Sequence, residues 1–133
     1  MTTRRLFCSI LALTACGSAF ADNWPQWRGP AGNGVVPAGD FPTDFSLEKN
    51  LKWTVELPGK GSSTPAVYGE RIYITVPIKD QDSVLCFNLE GKELWKQVLG
   101  KDRKGQREHK NGSTSNPSPV VDEDQVYVYF QSG

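Results

Sequence analysis

The sequence predicts an all-β chain built from repeated small sheet units, and three observations carry that prediction. A motif occurs once in full and begins again. Its full form is Thr64-Pro65-Ala66-Val67, a turn at Gly69-Glu70, Arg71-Ile72-Tyr73-Ile74, and then Cys86-Phe87-Asn88-Leu89-Glu90-Gly91-Lys92-Glu93-Leu94-Trp95. The restart is Ser118-Pro119-Val120-Val121, an acidic turn, and Gln125-Val126-Tyr127-Val128; Pro65 and Pro119 stand 54 residues apart, as do Tyr73 and Tyr127. A fixed period of this order marks an array of units that bury their faces against each other. Short apolar runs bounded by turn residues fill the chain from residue 51 onward, and no stretch shows a helical period.

Residues 1–21 read as a signal for export. Arg4 and Arg5 precede an apolar stretch over 6–15, and Ala19-Phe20-Ala21 offers a small-x-small cleavage site. A membrane span is not expected, since about ten apolar residues cannot cross a hydrocarbon core about 30 Å thick. Leu13-Thr14-Ala15-Cys16 also resembles a lipobox, in which Cys16 is acylated and anchors the chain to a membrane surface. Both readings place the mature chain outside the cytoplasm, as a periplasmic, extracellular or membrane-anchored protein.

Residues 22–50 form an arm rich in Gly, Pro and Trp, opening Trp24-Pro25-Gln26-Trp27-Arg28-Gly29-Pro30. Its prolines and turn glycines forbid a regular helix or a long strand. Trp24, Trp27 and Phe41 are costly to leave wet, so the arm is expected to lie pinned across a surface.

Residues 51–57 alternate, with Trp53, Val55 and Leu57 on one face, and predict a strand. Residues 64–68 and 71–76 predict a hairpin whose Gly69 takes the positive φ of a tight primed turn. Residues 83–89 are apolar on both faces, Val84 and Cys86 pointing one way and Leu85 and Phe87 the other, so this strand should lie in a sheet covered on both sides. Asn88 can bond its own turn, Gly91 can take the left-handed position, and 92–99 returns as a strand. Residues 118–121 and 125–130 open the next unit within 118–133.

The segment 100–117 holds no large apolar side chain and carries Lys101, Arg103, Lys104, Arg107, His109 and Lys110 beside Asp102 and Glu108. A loop of this length is either a solvated insertion or a contact for an anionic ligand or partner. Arg107, His109, Lys110 and Asn111 are its candidate binding residues.

Of the three cysteines, Cys8 and Cys16 belong to the signal, which leaves Cys86 with no internal partner and reads it as a buried, inert thiol. Lys and Arg number 15 against 15 Asp and Glu, which argues against nucleic acid as a partner.

The run Asn88-Leu89-Glu90-Gly91-Lys92-Glu93-Leu94-Trp95 behind a Pro65-led hairpin resembles the blade repeat of PQQ-like, quinoprotein-type β-propellers. Glu90-Gly91-Lys92 stands where that family has Thr-Gly-Lys, and Trp95 stands at its docking tryptophan. The opening at Trp24 to Pro30, and His109-Lys110-Asn111-Gly112 with Pro117-Ser118-Pro119, are similar to secreted bacterial propeller repeat proteins compared with the outer-membrane assembly scaffold BamB. The resemblance implies a closing strand at 51–57, a four-stranded blade at 64–99, the charged loop 100–117 and a partial blade at 118–133, within an N-terminal fragment of a propeller whose remaining blades belong to the same full-length chain. It makes Pro65, Tyr73, Asn88, Gly91, Lys92, Trp95, Trp53, Pro119 and Tyr127 structural, with Trp53 and Trp95 filling seams between blades. Alternating strand direction puts the loops 59–63, 77–82 and 100–117 on one face, where the family binds its ligands and partners.

A quinoprotein enzyme, as the family implies, needs a stacking aromatic, often adjacent cysteines, and oxygen ligands for Ca²⁺. No adjacent cysteines occur, and the acids Asp80, Asp82 and Asp122-Glu123-Asp124 read as solvated turn residues. His109 alone makes no zinc site, and the serines lack a base. The expected function is therefore a non-catalytic scaffold or ligand-binding module meeting a protein or surface ligand. The alternatives are a periplasmic oxidoreductase whose PQQ and Ca²⁺ residues lie in other blades, and the sensor propeller of a signalling protein.

Overall fold

A computed structural model describes residues 23–36, 38–100 and 117–130. The predicted export signal with Cys16, and the candidate binding residues Arg107, His109, Lys110 and Asn111, lie outside the described residues.

The described chain is all-β. Strands β1 (Ala66–Tyr68), β2 (Arg71–Ile78), β3 (Gln81–Asn88) and β4 (Glu93–Leu99) form one antiparallel sheet in the order β1-β2-β3-β4, and β5 (Val120–Val121) pairs with β6 (Val126–Tyr127) as a separate hairpin. The turns explain the meander. Gly69 (φ 57°) links β1 to β2, and Gly91 (φ 80°) lies in the turn between β3 and β4. In that turn the Asn88 side chain accepts hydrogen bonds from the backbone N–H groups of Glu90 (3.2 Å) and Lys92 (2.8 Å). Pro77 sits inside β2 without breaking the ladder. The Thr75 N–H points away from β3, towards Ser63 Oγ at 3.3 Å, and a period of two puts the missing Pro77 N–H on that same side.

The register sorts the sheet into two apolar faces. Ala66, Tyr73, Cys86 and Trp95 are cross-strand partners on one face. Ala66, Tyr73 and Cys86 form a core there with Val121 of β5, and Tyr68 and Val126 pack against it. Val76, Leu85 and Phe87 form the core of the opposite face, joined by Ile72, Ile74, Ile78 and Leu57. The β5–β6 hairpin thus covers one face and the segment around Leu57 covers part of the other. That double cover is why β3 is buried from Asp82 through Phe87, as its apolar residues on both faces predict. Leu94 is the extra residue of a bulge, because Cys86 faces Trp95 while Phe87 faces Glu93.

Three expectations are corrected. Residues 51–57 form no strand; the alternation is used for side-chain contacts instead, with Trp53 Nε1 donating to the Leu89 carbonyl at 2.8 Å and Leu57 entering the second core. The ring of Trp53 lies over Gly91, where a Cβ would meet it at 2.7 Å. The final strand is shorter than 125–130, since β6 covers Val126–Tyr127 alone. Asp82, read as a solvated turn acid, is fully buried at the start of β3, opposite Leu99. Trp95 keeps 38% of its surface exposed while its ring tilts against Tyr73, centroids 6.0 Å apart.

Only the start of the arm is pinned; against expectation, Trp27 and Phe41 stay exposed at 61% and 56%. Trp24 and Val67 exchange both backbone hydrogen bonds at 2.8 Å, and the Pro25 carbonyl accepts from the Val121 N–H, also at 2.8 Å. Residues 23–25 therefore run between β1 and β5, closing the outer edge of β1. Proline suits this place: its nitrogen faces β5, where it has no N–H to leave stranded.

Candidate functional site

The strand directions send two groups of turns to opposite ends of the sheet. The β1–β2, β3–β4 and β5–β6 turns gather at one end, with Asn23 beside them through a 2.7 Å bond from the Gly69 N–H to its side chain. The β2–β3 turn, the segment 59–63 and both roots of the charged loop gather at the other. This second end is the candidate site.

Several contacts build it. Gly59 rests directly on the Pro77 carbonyl, where a Cβ would lie 2.3 Å from the oxygen, so glycine alone permits this approach. Ser63 and Thr64 then run alongside β2: Ser63 Oγ accepts from the Thr75 N–H, and the Thr64 N–H donates to Ser118 Oγ at 2.8 Å. The Thr75 hydroxyl donates to the Pro117 carbonyl, and the Ser83 hydroxyl to the Val76 carbonyl. Thr75, Asp82 and Ser83 are all buried at this end of the sheet. Such buried polar groups fix the surrounding backbone, because each needs its partner in place.

Two of these residues, Asp82 and Thr75, hold the flanks of the basic segment. Leu99, just before Gly100, pairs with Asp82 of β3, and Pro117 returns onto Thr75. Both ends of the segment carrying Arg107, His109, Lys110 and Asn111 thus start from the predicted face. Beside them stands the β2–β3 turn, where Lys79 (φ 50°) and Asp80 (φ 63°) both take the left-handed conformation. A two-residue hairpin demands this geometry, and two side-chain-bearing residues accept it at a cost in strain.

The opposite end carries an open groove of about 320 Å³ lined by Tyr68, Glu70, Arg71, Tyr73, Asp122 and Glu123. Asp122 is spent on its own turn. The N–H groups of Asp124 and Gln125 and the Tyr127 hydroxyl bond its carboxylate, and these three bonds hold it below the ordinary value of 3.8. The acids Asp80 and Asp82 therefore sit at one end and Asp122, Glu123 and Asp124 at the other, so they do not share a site. Among the described residues no three His, Cys, Asp or Glu side chains converge to hold a metal ion. Burial pushes the Cys86 thiol above its ordinary value of 9.0, with the Arg71 charge pulling partly back, and at 0% exposure it is closed to reagents.

Of the sequence-predicted residues, Pro65, Tyr73, Asn88, Gly91, Lys92 and Trp95 fall in or beside the four-stranded sheet, Trp53 rests on its β3–β4 turn, and Pro119 and Tyr127 fall in or beside the hairpin. Sequence reasoning missed Thr75, Asp82 and Ser83. Their signal is faint: three small polar residues interrupting two apolar strands near one turn. Comparison with known proteins finds no match among family models, curated proteins or solved structures.

Proposed function

We propose that the chain is part of an exported, PQQ-like β-propeller that acts as a non-catalytic scaffold or ligand-binding module, its long-loop end meeting a protein or surface ligand. The observation that carries this reading is the anchoring at that end. Buried Thr75 and Asp82 hold Pro117 and Leu99, which flank the basic segment, beside a strained, charged turn. Rigid strands presenting adaptable loops are the usual design of a recognition surface.

The blade reading is supported by the four-stranded meander and by its double cover. A propeller blade packs against neighbours on both faces, and here β5–β6 lies on one face and Leu57 on the other. Leu94, Trp95 and Val98 of β4 remain partly exposed, apolar surface suited to further neighbours. Export is supported by the signal pattern at 1–21.

The oxidoreductase alternative places its residues for PQQ and Ca²⁺ in other blades. Titration of the full-length protein with PQQ and Ca²⁺ separates the readings. The scaffold reading expects no saturable binding; stoichiometric binding with dye reduction overturns it.

A further inference from the structure

The slot between β1 and β5 is a strand-binding site whose occupant is fixed by hydrogen bonds rather than by a packed core. Three backbone bonds at 2.8 Å seat residues 23–25 in it, two to Val67 and one from Val121, and Asn23 adds a fourth from the Gly69 N–H. Emptying the slot leaves the Val67 N–H and carbonyl and the Val121 N–H without these partners, so the slot favours an occupant.

The arm carries its own packing. The Trp24 ring folds back over Gly29, where a Cβ would meet it at 2.7 Å. Gly29 is held by the Gln26 carbonyl at 2.9 Å, and Gly34 by the Arg28 carbonyl at 2.9 Å. Residues 23–34 thus form a knot that can move as one piece. The connection behind it is exposed through 30–36 and 38–50, and its bonds, such as Asn50 Nδ2 to the Asp44 carbonyl at 2.7 Å, close local turns. About fifteen residues of such chain reach about 50 Å when extended, enough to seat the knot on a neighbouring molecule.

We infer that residues 23–25 fill this slot in trans as well as in cis, so that two copies of the chain exchange arms across a two-fold axis. Each copy then keeps every bond described above, with the donor chain changed. The cis form is favoured while the effective concentration of the tethered arm, on the order of 1 mM, exceeds that of the protein; exchange therefore grows with concentration and with refolding from a mixture. This inference does not depend on the scaffold reading.

Cross-linking tests it. The antiparallel bridge between Trp24 and Val67 places Asn23 opposite Tyr68. In a full chain carrying Cys8→Ser and Cys16→Ser, the pair Asn23→Cys and Tyr68→Cys should cross-link within one molecule in dilute solution, which checks the slot itself. Chains carrying only Asn23→Cys, refolded at ~1 mM with chains carrying only Tyr68→Cys, should yield a covalent heterodimer that falls at least tenfold on refolding at a hundredfold lower concentration. Isotope-filtered contacts between Trp24 of an unlabelled chain and Val67 of a labelled one, in unsubstituted protein, give the same answer without cysteines. Absence of both the heterodimer and these contacts overturns the exchange, and failure of the cis cross-link overturns the slot.

Discussion

The backbone N–H of Thr64 donates to the side-chain oxygen of Ser118 at 2.8 Å, and these residues are separated by 54 positions, one full repeat. Each precedes the proline that opens its unit, Pro65 or Pro119. The sequence repeat is thus also a contact vector: equivalent positions of successive units touch. Ser118→Ala removes the acceptor for a half-buried N–H and should lower stability by about 1–2 kcal/mol in denaturant unfolding. Ser118→Thr, which keeps the hydroxyl, should restore most of it.

Two turn glycines separate backbone strain from collision. Gly69→Ala meets only the penalty of its positive φ, since nothing lies within 4 Å of a Cβ there; the loss should be about 1–2 kcal/mol. Gly91→Ala adds a Cβ 2.7 Å from the Trp53 ring and should lose about 2–4 kcal/mol in all. Trp53 fluorescence should shift in the second variant only, as the indole leaves the Leu89 carbonyl.

The β2–β3 turn holds Lys79 and Asp80 at positive φ. The double substitution Lys79→Asn with Asp80→Gly supplies the pair that such a turn prefers, and it should gain about 1–2 kcal/mol in thermal unfolding. If the charged tips belong to the recognition surface, the same variant should lose partner binding while it gains stability.

Asp122 gives the β5–β6 turn a pH dependence with a definite sign. Bonds from the Asp124 and Gln125 N–H groups and the Tyr127 hydroxyl depress its folded value below 3.8. Its contribution is therefore present above 3.8 and is lost as pH falls through the depressed value. The Tyr127 hydroxyl shifts oppositely, above 10.0, because its hydrogen bond to Asp122 favours the protonated phenol; that contribution is lost as pH rises through the raised value. An NMR titration should place the Asp122 carboxyl below its ordinary range, and Tyr127→Phe should bring it upward.

Much of the sheet was legible because its causes are local. Gly69, Asn88 and Gly91 specify their turns, and the apolar residues on both faces of β3 announce a strand covered twice. What escaped depends on distant partners. The alternation of Trp53, Val55 and Leu57 fits a strand, but only the Leu89 carbonyl and the core around Phe87 decide that Trp53 and Leu57 dock without pairing, while Val55 stays exposed. Composition suggests that the whole Trp-rich arm is pinned, but the open flanks of β1 and β5 take only residues 23–25, and Trp27 and Phe41 stay exposed. Asp82 reads as solvated beside its turn, yet its register with Leu99 carries it inside. In the candidate site the basic segment is visible from its charge; Thr75 and Asp82, which hold its flanks, are ordinary residues until the strands place them together.

The claim that the long-loop end is the recognition surface is tested most directly by photo-cross-linking in the cell envelope. A photoreactive amino acid at Lys79, on the β2–β3 turn, samples that end; the same group at Glu70, on the β1–β2 turn, samples the other. The account predicts a discrete adduct from position 79 that is absent from position 70. An adduct from position 70 alone, or none from either at native expression, would contradict it.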